Sequence, residues 1–168
     1  MAAKALFLDR DGVVNADTGY VHRAEDFQLM PGIVKLCRRA REKGYLVIVV
    51  TNQSGIGRGM FSEEEFGRLT EHMKGLFRAE GVEIADVFFC PSMDDGHPDR
   101  KPNPGLFLKA AARHGLDMAS CVSVGDRERD IQAALSAGVG RNFLFSAEDA
   151  PSRATARVED LNEVAAYL

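Results

Sequence analysis

The feature that most constrains the fold of this chain is a set of short apolar runs separated by segments with helical signals. The runs lack the polar–apolar alternation of half-exposed strands, so we expect strands that are buried on both faces. They occupy residues 5–8 (ALFL), 45–50 (YLVIVV), 84–89 (IADVFF), 120–124 (SCVSV) and 142–145 (NFLF). Such strands in alternation with helices predict an α/β fold with a doubly wound, mainly parallel, Rossmann-like sheet.

Glycine, proline and capping residues mark the ends of the intervening helices. A capping box formed by Ser62 and Glu65, for example, predicts the start of a helix. The predicted helices occupy residues 31–44, 62–81, 104–115, 127–138 and 158–168.

Composition limits the class of protein. A chain of 168 residues, 45% hydrophobic and 27% charged, is typical of one soluble globular domain, which we expect to span residues 1–168. The net charge of −4 argues against nucleic acid as the main partner. Cys37, Cys90 and Cys121 form no disulfide or CxxC pattern, and no apolar stretch reaches the ~18 residues of a membrane span. We therefore expect a cytoplasmic monomer without a membrane partner.

Polar residues follow the predicted strands directly. Ligands of open parallel sheets bind at the carboxyl ends of strands, so these residues are expected to converge on one edge of the sheet. They are Asp9 and Asp11 after the first strand, Thr51, Asn52, Gln53 and Ser54 after the second, Arg100 and Lys101 beyond the third, and Gly125 and Asp126 after the fourth.

The residue types in these sets favour phosphoryl-transfer chemistry. Asp9 and Asp11 stand two positions apart, and like charges at that range need a compensating cation or a shared proton. Asp9 and Asp126 offer the oxygen ligands that Mg²⁺ prefers. Asp9 could then attack phosphorus while Asp11 serves as general acid and base, and Thr51 and Lys101 could stabilise the transferring group. Each pair alone is compatible with an ordinary turn, and the catalytic interpretation depends on their joint order along the chain.

Four segments of the chain resemble the motifs of the haloacid dehalogenase-like phosphatases. They read FLDRDGVVN, VTNQSGIGRG, RKPNPG and VGDRERD, and the resemblance spans about residues 5–145. Together with DTGYV and the CP dipeptide, they are most similar to the group that contains histidinol-phosphate and D-glycero-D-manno-heptose-1,7-bisphosphate phosphatases.

The resemblance implies roles for individual residues. Asp9 would be the nucleophile, Asp11 the general acid and base, and Thr51 and Lys101 would hold the phosphoryl group. Asp9, the backbone carbonyl of Asp11 and Asp126 would bind Mg²⁺. The substrate pocket would be shaped by Arg10, Asp17, Thr18, Gly19, Tyr20, Asn52, Gln53, Ser54, Arg100 and Arg127.

Segment lengths predict a capless enzyme. Members of this superfamily carry caps between the first and second motifs or between the second and third. Here residues 12–30 leave room only for a flap, and residues 52–100 are filled by one helix, one strand and a loop. Short loops would then select the substrate, with residues 17–23 as the leading candidate and Arg58 as a residue that could reach a second phosphate.

The loop before the third motif departs from the group's pattern. The group usually carries a structural zinc site there, written Cys-x-His followed by Cys-x-Cys. This chain has Cys90, but Ser92 replaces the histidine and the second cysteine pair is absent. Cys90 and His97 are too few for a tetrahedral site, so we predict a loop without zinc.

These features predict a Mg²⁺-dependent phosphomonoesterase of a small phosphorylated metabolite. Heptose bisphosphate, cleaved at its 7-phosphate, is the first expectation. Histidinol phosphate or another sugar phosphate is the alternative within the class. A phospho-accepting receiver module is the alternative from another class, although receivers lack an acid two residues after the phosphorylated aspartate, the place of Asp11 here.

Overall fold

The computed structural model describes residues 2–168, which form one six-stranded sheet with helices on both faces. The strands are β1 Lys4–Leu8, β2 Tyr45–Asn52, β3 Asp86–Cys90, β4 Val122–Gly125, β5 Arg141–Phe145 and β6 Ala156–Val158. The α-helices are α1 Ile33–Glu42, α2 Ser54–Gly57, α3 Glu63–Ala79, α4 Gly105–His114 and α5 Glu128–Ser136. Shorter 3₁₀ helices cover Ala24–Asp26, Met118–Ser120 and Leu161–Tyr167. Within the described residues, none of the helices is both long enough and apolar enough to span a membrane.

The sheet is buried on both faces, as the continuous apolar runs predict. In β1, Leu6 and Leu8 face the core that contains α1 and α3. Ala5 and Phe7 face the core that contains α4 and α5. Fully burying a side chain of the size of Phe7 stabilises the fold by about 1.5–3 kcal/mol.

The strand order is β3-β2-β1-β4-β5-β6, and every neighbouring pair is parallel. The chain runs outward from β1 to β3 and then returns to place β4 beside β1. This reversal creates a crevice at the carboxyl ends of β1 and β4, where ligands of such sheets bind. Between β1 and α1 the described chain forms loops and one 3₁₀ turn, Ala24–Asp26, which leaves the crevice open.

The final helix predicted near 158–168 is shorter than expected and is a 3₁₀ helix, Leu161–Tyr167. The strand β6, Ala156–Val158, precedes it and pairs with β5, which was not predicted. Leu161 and Val164 are the buried residues of this helix, and their spacing of three matches the three-residue turn of a 3₁₀ helix. The sequence also gave no indication of α2, and it placed Thr51 and Asn52 after β2, whereas both lie within that strand.

Candidate active site

A cavity of about 380 Å³ opens where the chain leaves the carboxyl ends of the central strands. Its lining combines carboxylates, amides and arginines from segments that are distant in sequence. The lining residues are Asp9, Asp11, Asp17, Gly19, Tyr20, Asn52, Gln53, Ser54, Gly55, Arg58, Arg100, Asp126, Arg127 and Arg129. The cavity thus brings together most of the polar residues that the sequence singles out.

Lys101 lies beneath the cavity and joins two carboxylates. Its Nζ donates to Asp9 Oδ1 at 2.8 Å and to the Val50 carbonyl at 2.9 Å, and it lies 2.7 Å from Asp130 Oδ1. These three partners match the three donors of an ammonium group. Burial lowers the pKa of Lys101, but the charges of Asp130 and Asp9 outweigh it, so the pKa is raised and the side chain stays protonated.

Three carboxylates surround this single ammonium group. Asp9, Asp126 and Asp130 each place an oxygen within 4.8 Å of the others. Burial, then the charge of Asp130, raises the pKa of Asp9 well above its usual value despite the opposing effect of Lys101. The pKa of Asp126 is raised for the same two reasons. We call Asp9, Lys101, Asp126 and Asp130 the floor of the cavity; it carries more negative than positive charge.

The floor fits a small divalent cation. Asp130 is already engaged, because its Oδ1 pairs with Lys101 and its Oδ2 accepts from the backbone N–H groups of Asp126 and Arg127. By contrast, Asp9 Oδ2 and the Asp126 carboxylate accept no hydrogen bond from a nitrogen atom of residues 2–168. Carboxylate oxygens without a nitrogen donor, beside an open cavity, are suited to Mg²⁺, which binds a few carboxylates and completes its shell with water or phosphate.

Two glycines allow the acidic residues to approach so closely. Gly12 has φ +94°, and a Cβ there would lie 2.1 Å from Asp126 Oδ2. A Cβ on Gly125 would lie 2.2 Å from the Cβ of Asp130. The glycine that follows Asp11 and the one that precedes Asp126 are therefore steric requirements of the floor.

Asp11 lines the cavity and is held by its neighbours. Its carboxylate accepts from Arg10 Nη2 at 2.8 Å, Asn15 Nδ2 at 3.0 Å and Gln53 Nε2 at 3.0 Å. Arg10 was predicted to bind substrate, but only 1% of it is exposed and it does not line the cavity. Its Nη2 also donates to the Val21 carbonyl, so Arg10 contacts Asp11 and the loop behind it.

The residues at the end of β2 divide between the cavity and the layer below it. Thr51 is buried and does not line the cavity; its Oγ1 accepts from Gln53 Nε2 at 2.9 Å. Asn52 lines the cavity and also holds the backbone of Lys101. Asn52 Oδ1 accepts from the Lys101 backbone N–H at 3.0 Å, and Asn52 Nδ2 donates to the Lys101 carbonyl at 3.1 Å. Ser54 lines the cavity at the start of α2.

Four arginines line the cavity, and three of them are exposed. Arg58, Arg127 and Arg129 are exposed and form no ion pair with any of residues 2–168, and we call these three the rim. Arg100 differs, because it pairs with Asp95.

The loop after β1 contributes to the same cavity. Asp17, Gly19 and Tyr20 line the cavity, whereas Thr18 is exposed and lies outside its lining. Tyr20 is 45% exposed and has φ 48°, a backbone conformation that residues other than glycine rarely adopt. The loop therefore holds an aromatic ring beside the cavity.

Sequence reasoning missed Asp130 and Arg129. Both lie in VGDRERD, of which only Asp126 and Arg127 were assigned roles. The available signal was Asp130 itself, an acid at the third position of α5 that can cap the helix and still face the floor. Arg129 gives no such signal, because only the three-dimensional path of α5 places it at the cavity.

Comparison with known proteins agrees with the chemistry that the geometry of the cavity suggests. A family model described as haloacid dehalogenase-like hydrolase matches residues 3–138. The chain is 48% identical over 168 residues to the D-glycero-alpha-D-manno-heptose-1,7-bisphosphate 7-phosphatase of Burkholderia mallei, with 93% of this chain and 87% of that protein aligned. It is 45% identical over 148 residues to the D-glycero-beta-D-manno-heptose-1,7-bisphosphate 7-phosphatase of Yersinia pestis, with 83% and 79% aligned.

Among solved structures, the fold is similar to that of D,D-heptose 1,7-bisphosphate phosphatase from B. bronchiseptica, which was crystallised with magnesium and phosphate. The TM-score is 0.86 at 32% identity, and the match covers 98% of this chain and 97% of the other. The likeness therefore extends over nearly the whole chain.

Proposed function

Because this chain belongs to the haloacid dehalogenase-like hydrolase family, we propose that it is a Mg²⁺-dependent phosphatase that removes the 7-phosphate of D-glycero-D-manno-heptose 1,7-bisphosphate. The observation that carries the proposal is the floor, in which buried Lys101 holds Asp9 beside Asp126 at the base of an open cavity. Relatives with this enzymatic name align with most of the chain.

The reaction begins with Asp9. A carboxylate oxygen of Asp9 attacks the phosphorus of the 7-phosphate, and the bond from phosphorus to the sugar oxygen breaks. Asp11 gives a proton to the departing sugar oxygen, which leaves as an alcohol. To do so, the Asp11 carboxyl must exchange one of its present hydrogen bonds for a bond to the substrate, as catalytic acids often do when a substrate binds.

The second half of the reaction releases phosphate. The ionised Asp11 takes a proton from a water molecule, the water oxygen attacks the phosphorus of the aspartyl-phosphate, and the bond to Asp9 breaks. Inorganic phosphate leaves and the Asp9 carboxylate is restored. Asp11 thus ends the cycle protonated, ready to act as an acid again.

Fixed positive charge would stabilise both transition states. Asp9, Asp126 and the backbone carbonyl of Asp11 would hold Mg²⁺, which when bound supplies positive charge to the phosphoryl oxygens. Lys101 is already oriented by its three partners, so it needs no reorganisation during the reaction. We expect a chelator to abolish turnover and Ca²⁺ to restore it poorly, because Ca²⁺ accepts looser coordination than Mg²⁺. Phosphate release in defined metal buffers measures both effects.

A second phosphate on the substrate suits the charge around the cavity. The three rim arginines and Arg100 line the same cavity as the acidic residues Asp9 and Asp126. Phosphate groups pair well with guanidinium groups. Relatives with α- and β-anomer names both align with the chain, so both anomers belong in any test of the substrate.

The domain organisation, location and oligomeric state of the protein are also part of the proposed function. We propose a single phosphatase domain over residues 1–168 that acts as a cytoplasmic monomer, without a nucleic-acid or membrane partner. We also propose that the loop over residues 90–100 binds no zinc. Metal analysis of purified protein tests the last point, and a stoichiometry near one zinc per chain would contradict it.

Phosphate release with Mg²⁺ tests the substrate. The panel comprises both anomers of heptose 1,7-bisphosphate, histidinol phosphate and several sugar monophosphates, with Asp9→Asn as the inactive control. We expect kcat/KM to favour one heptose bisphosphate by about 100-fold or more, which corresponds to about 2.7 kcal/mol of transition-state stabilisation. Equal activity across the panel, or a preference for histidinol phosphate, would contradict the assignment.

A further inference from the structure

The loop between β3 and Lys101 fixes the guanidinium group of Arg100 from two sides. Asp95 Oδ1 accepts from Arg100 Nε at 3.1 Å, and the Ser92 carbonyl accepts from Nη1 at 3.1 Å. The Arg100 side chain is only 12% exposed, although it lies at the border of an open cavity. Two hydrogen bonds therefore restrict a side chain that would otherwise sample many rotamers.

The loop is itself closed by internal hydrogen bonds. Asn103 Nδ2 donates to the carbonyls of Asp95 at 3.1 Å and His97 at 2.9 Å. The backbone N–H of His97 donates to the Asp94 carbonyl at 2.9 Å. These bonds hold the backbone of Asp95 in place, which keeps its carboxylate within reach of Arg100.

The two contacts leave most of the Arg100 donors free. A guanidinium group has five N–H donors, and Asp95 and Ser92 use two of them. The other donors belong to a side chain that lines the cavity. Because the group is planar and rigid, fixing two donors also fixes the direction of the remaining three.

We propose that Asp95 is a positioning residue, which directs the free face of Arg100 at the phosphorylated substrate. The inference rests on the proposed function, since it takes Arg100 as a substrate contact. Asp95 does not line the cavity, and its own side chain is 92% exposed, so it acts through Arg100 alone. Its effect belongs to substrate binding, because Asp9 and Asp11, the groups that make and break bonds, have no hydrogen bond to Arg100 or Asp95.

Steady-state kinetics with heptose 1,7-bisphosphate tests this role. We expect Asp95→Ala to raise KM about three- to five-fold, as suits an exposed ion pair, and to leave kcat within about two-fold. Asp95→Asn keeps an oxygen acceptor and is expected to fall between Asp95→Ala and the wild type. Asp94→Ala is the control, because it removes the same charge from the same loop, and the Asp94 carboxylate accepts from the Gly96 N–H and has no hydrogen bond to Arg100.

A double variant separates action through Arg100 from a general effect on the loop. In an Arg100→Gln background, we expect Asp95→Ala to have no further effect on KM. Equal changes in KM for Asp95→Ala and Asp94→Ala, or an undiminished effect in the Arg100→Gln background, would overturn the inference. Thermal unfolding of each variant shows whether the loop remains folded.

A substrate-free measurement keeps this inference distinct from the proposed function. The Arg100 Nε–H resonance in a ¹H–¹⁵N spectrum, assigned by its loss in Arg100→Gln, reports the contact directly. We expect slow exchange of this proton with solvent in the wild type and in Asp94→Ala, and fast exchange in Asp95→Ala. The same exchange rate in all three proteins would overturn the positioning role, whether or not heptose bisphosphate is a substrate.

Discussion

The floor and the rim of the cavity are built in opposite ways. On the floor, Lys101 is 2% exposed, and its ammonium group has a carboxylate or carbonyl partner for each donor. On the rim, Arg58, Arg127 and Arg129 are exposed and have no ion-pair partner among the described residues. One region is fixed before substrate arrives, and the other has charge available for it.

This difference assigns different tasks to the two regions. Buried charges interact strongly, and removing one of them leaves its partners uncompensated. Exposed charges are screened by water and salt, so each contributes little alone. We therefore expect floor variants to lose the chemical step and rim variants to lose discrimination between substrates.

The largest expected effect is that of Asp9→Asn. The amide cannot act as the nucleophile, so kcat should fall by about 10⁴-fold or more, the scale seen when a nucleophile is removed. Folding stability should stay close to that of the wild type, because an amide oxygen can still accept from Lys101 and Asp130 remains paired with Lys101. Phosphate release and thermal unfolding measure the two quantities. Substantial activity in this variant would remove Asp9 as the nucleophile.

Lys101→Met should affect both turnover and stability. Loss of one preorganised charge typically lowers kcat by about 10²–10³-fold. The variant also leaves Asp9 and Asp130 without their shared cation, which costs about 3–5 kcal/mol when a buried pair is broken. Kinetics and urea unfolding test the pair of effects. A rate within a few-fold of the wild type would show that the floor is not preorganised by Lys101.

Arg129→Gln probes the rim and should have a smaller, more selective effect. We expect KM for heptose 1,7-bisphosphate to rise a few-fold, with kcat and KM for a sugar monophosphate nearly unchanged, because the monophosphate has no second phosphate to bind. Stability should stay within about 0.5 kcal/mol of the wild type. An equal fall in kcat for the bisphosphate and the monophosphate would mean that Arg129 serves the chemical step and not the second phosphate.

Asp86→Asn should leave turnover unchanged and provides a control carboxylate outside the cavity. Burial raises the pKa of Asp86, but contacts with His114 and Arg113 lower it more, so the net pKa lies below 3.8. The ionised form therefore stabilises the fold above that pH, and this contribution is lost as the pH falls through the lowered pKa. The difference in Tm between wild type and variant should be full at neutral pH and shrink below about pH 3.8. A difference in Tm that grows as the pH falls would contradict a lowered pKa for Asp86.

The sequence predicted the elements whose signals are local. Continuous apolar runs located five strands, and strand-end carboxylates located Asp9, Asp11 and Asp126. The contacts that a residue makes with distant segments have no such local signal. The resemblance implied a substrate contact for Arg10, but its burial against Val21 depends on a loop that folds back, and Arg10 does not line the cavity.

The same limit explains the other differences. β6 is a three-residue strand that exists because β5 offers a free edge, which no local pattern in residues 156–158 indicates. Arg129 reaches the cavity through the direction of α5, and Asp130 reaches the floor because Gly125 leaves space for it.

Trapping the covalent intermediate tests the central claim most directly. Wild-type protein turning over heptose 1,7-bisphosphate with Mg²⁺ is treated with borohydride, which reduces an aspartyl-phosphate to homoserine, and the peptides are read by mass spectrometry. We expect homoserine at position 9 alone, and only when substrate is present. Homoserine at position 11 or 126, or none during active turnover, would contradict the assignment of Asp9 as the nucleophile of a preorganised floor.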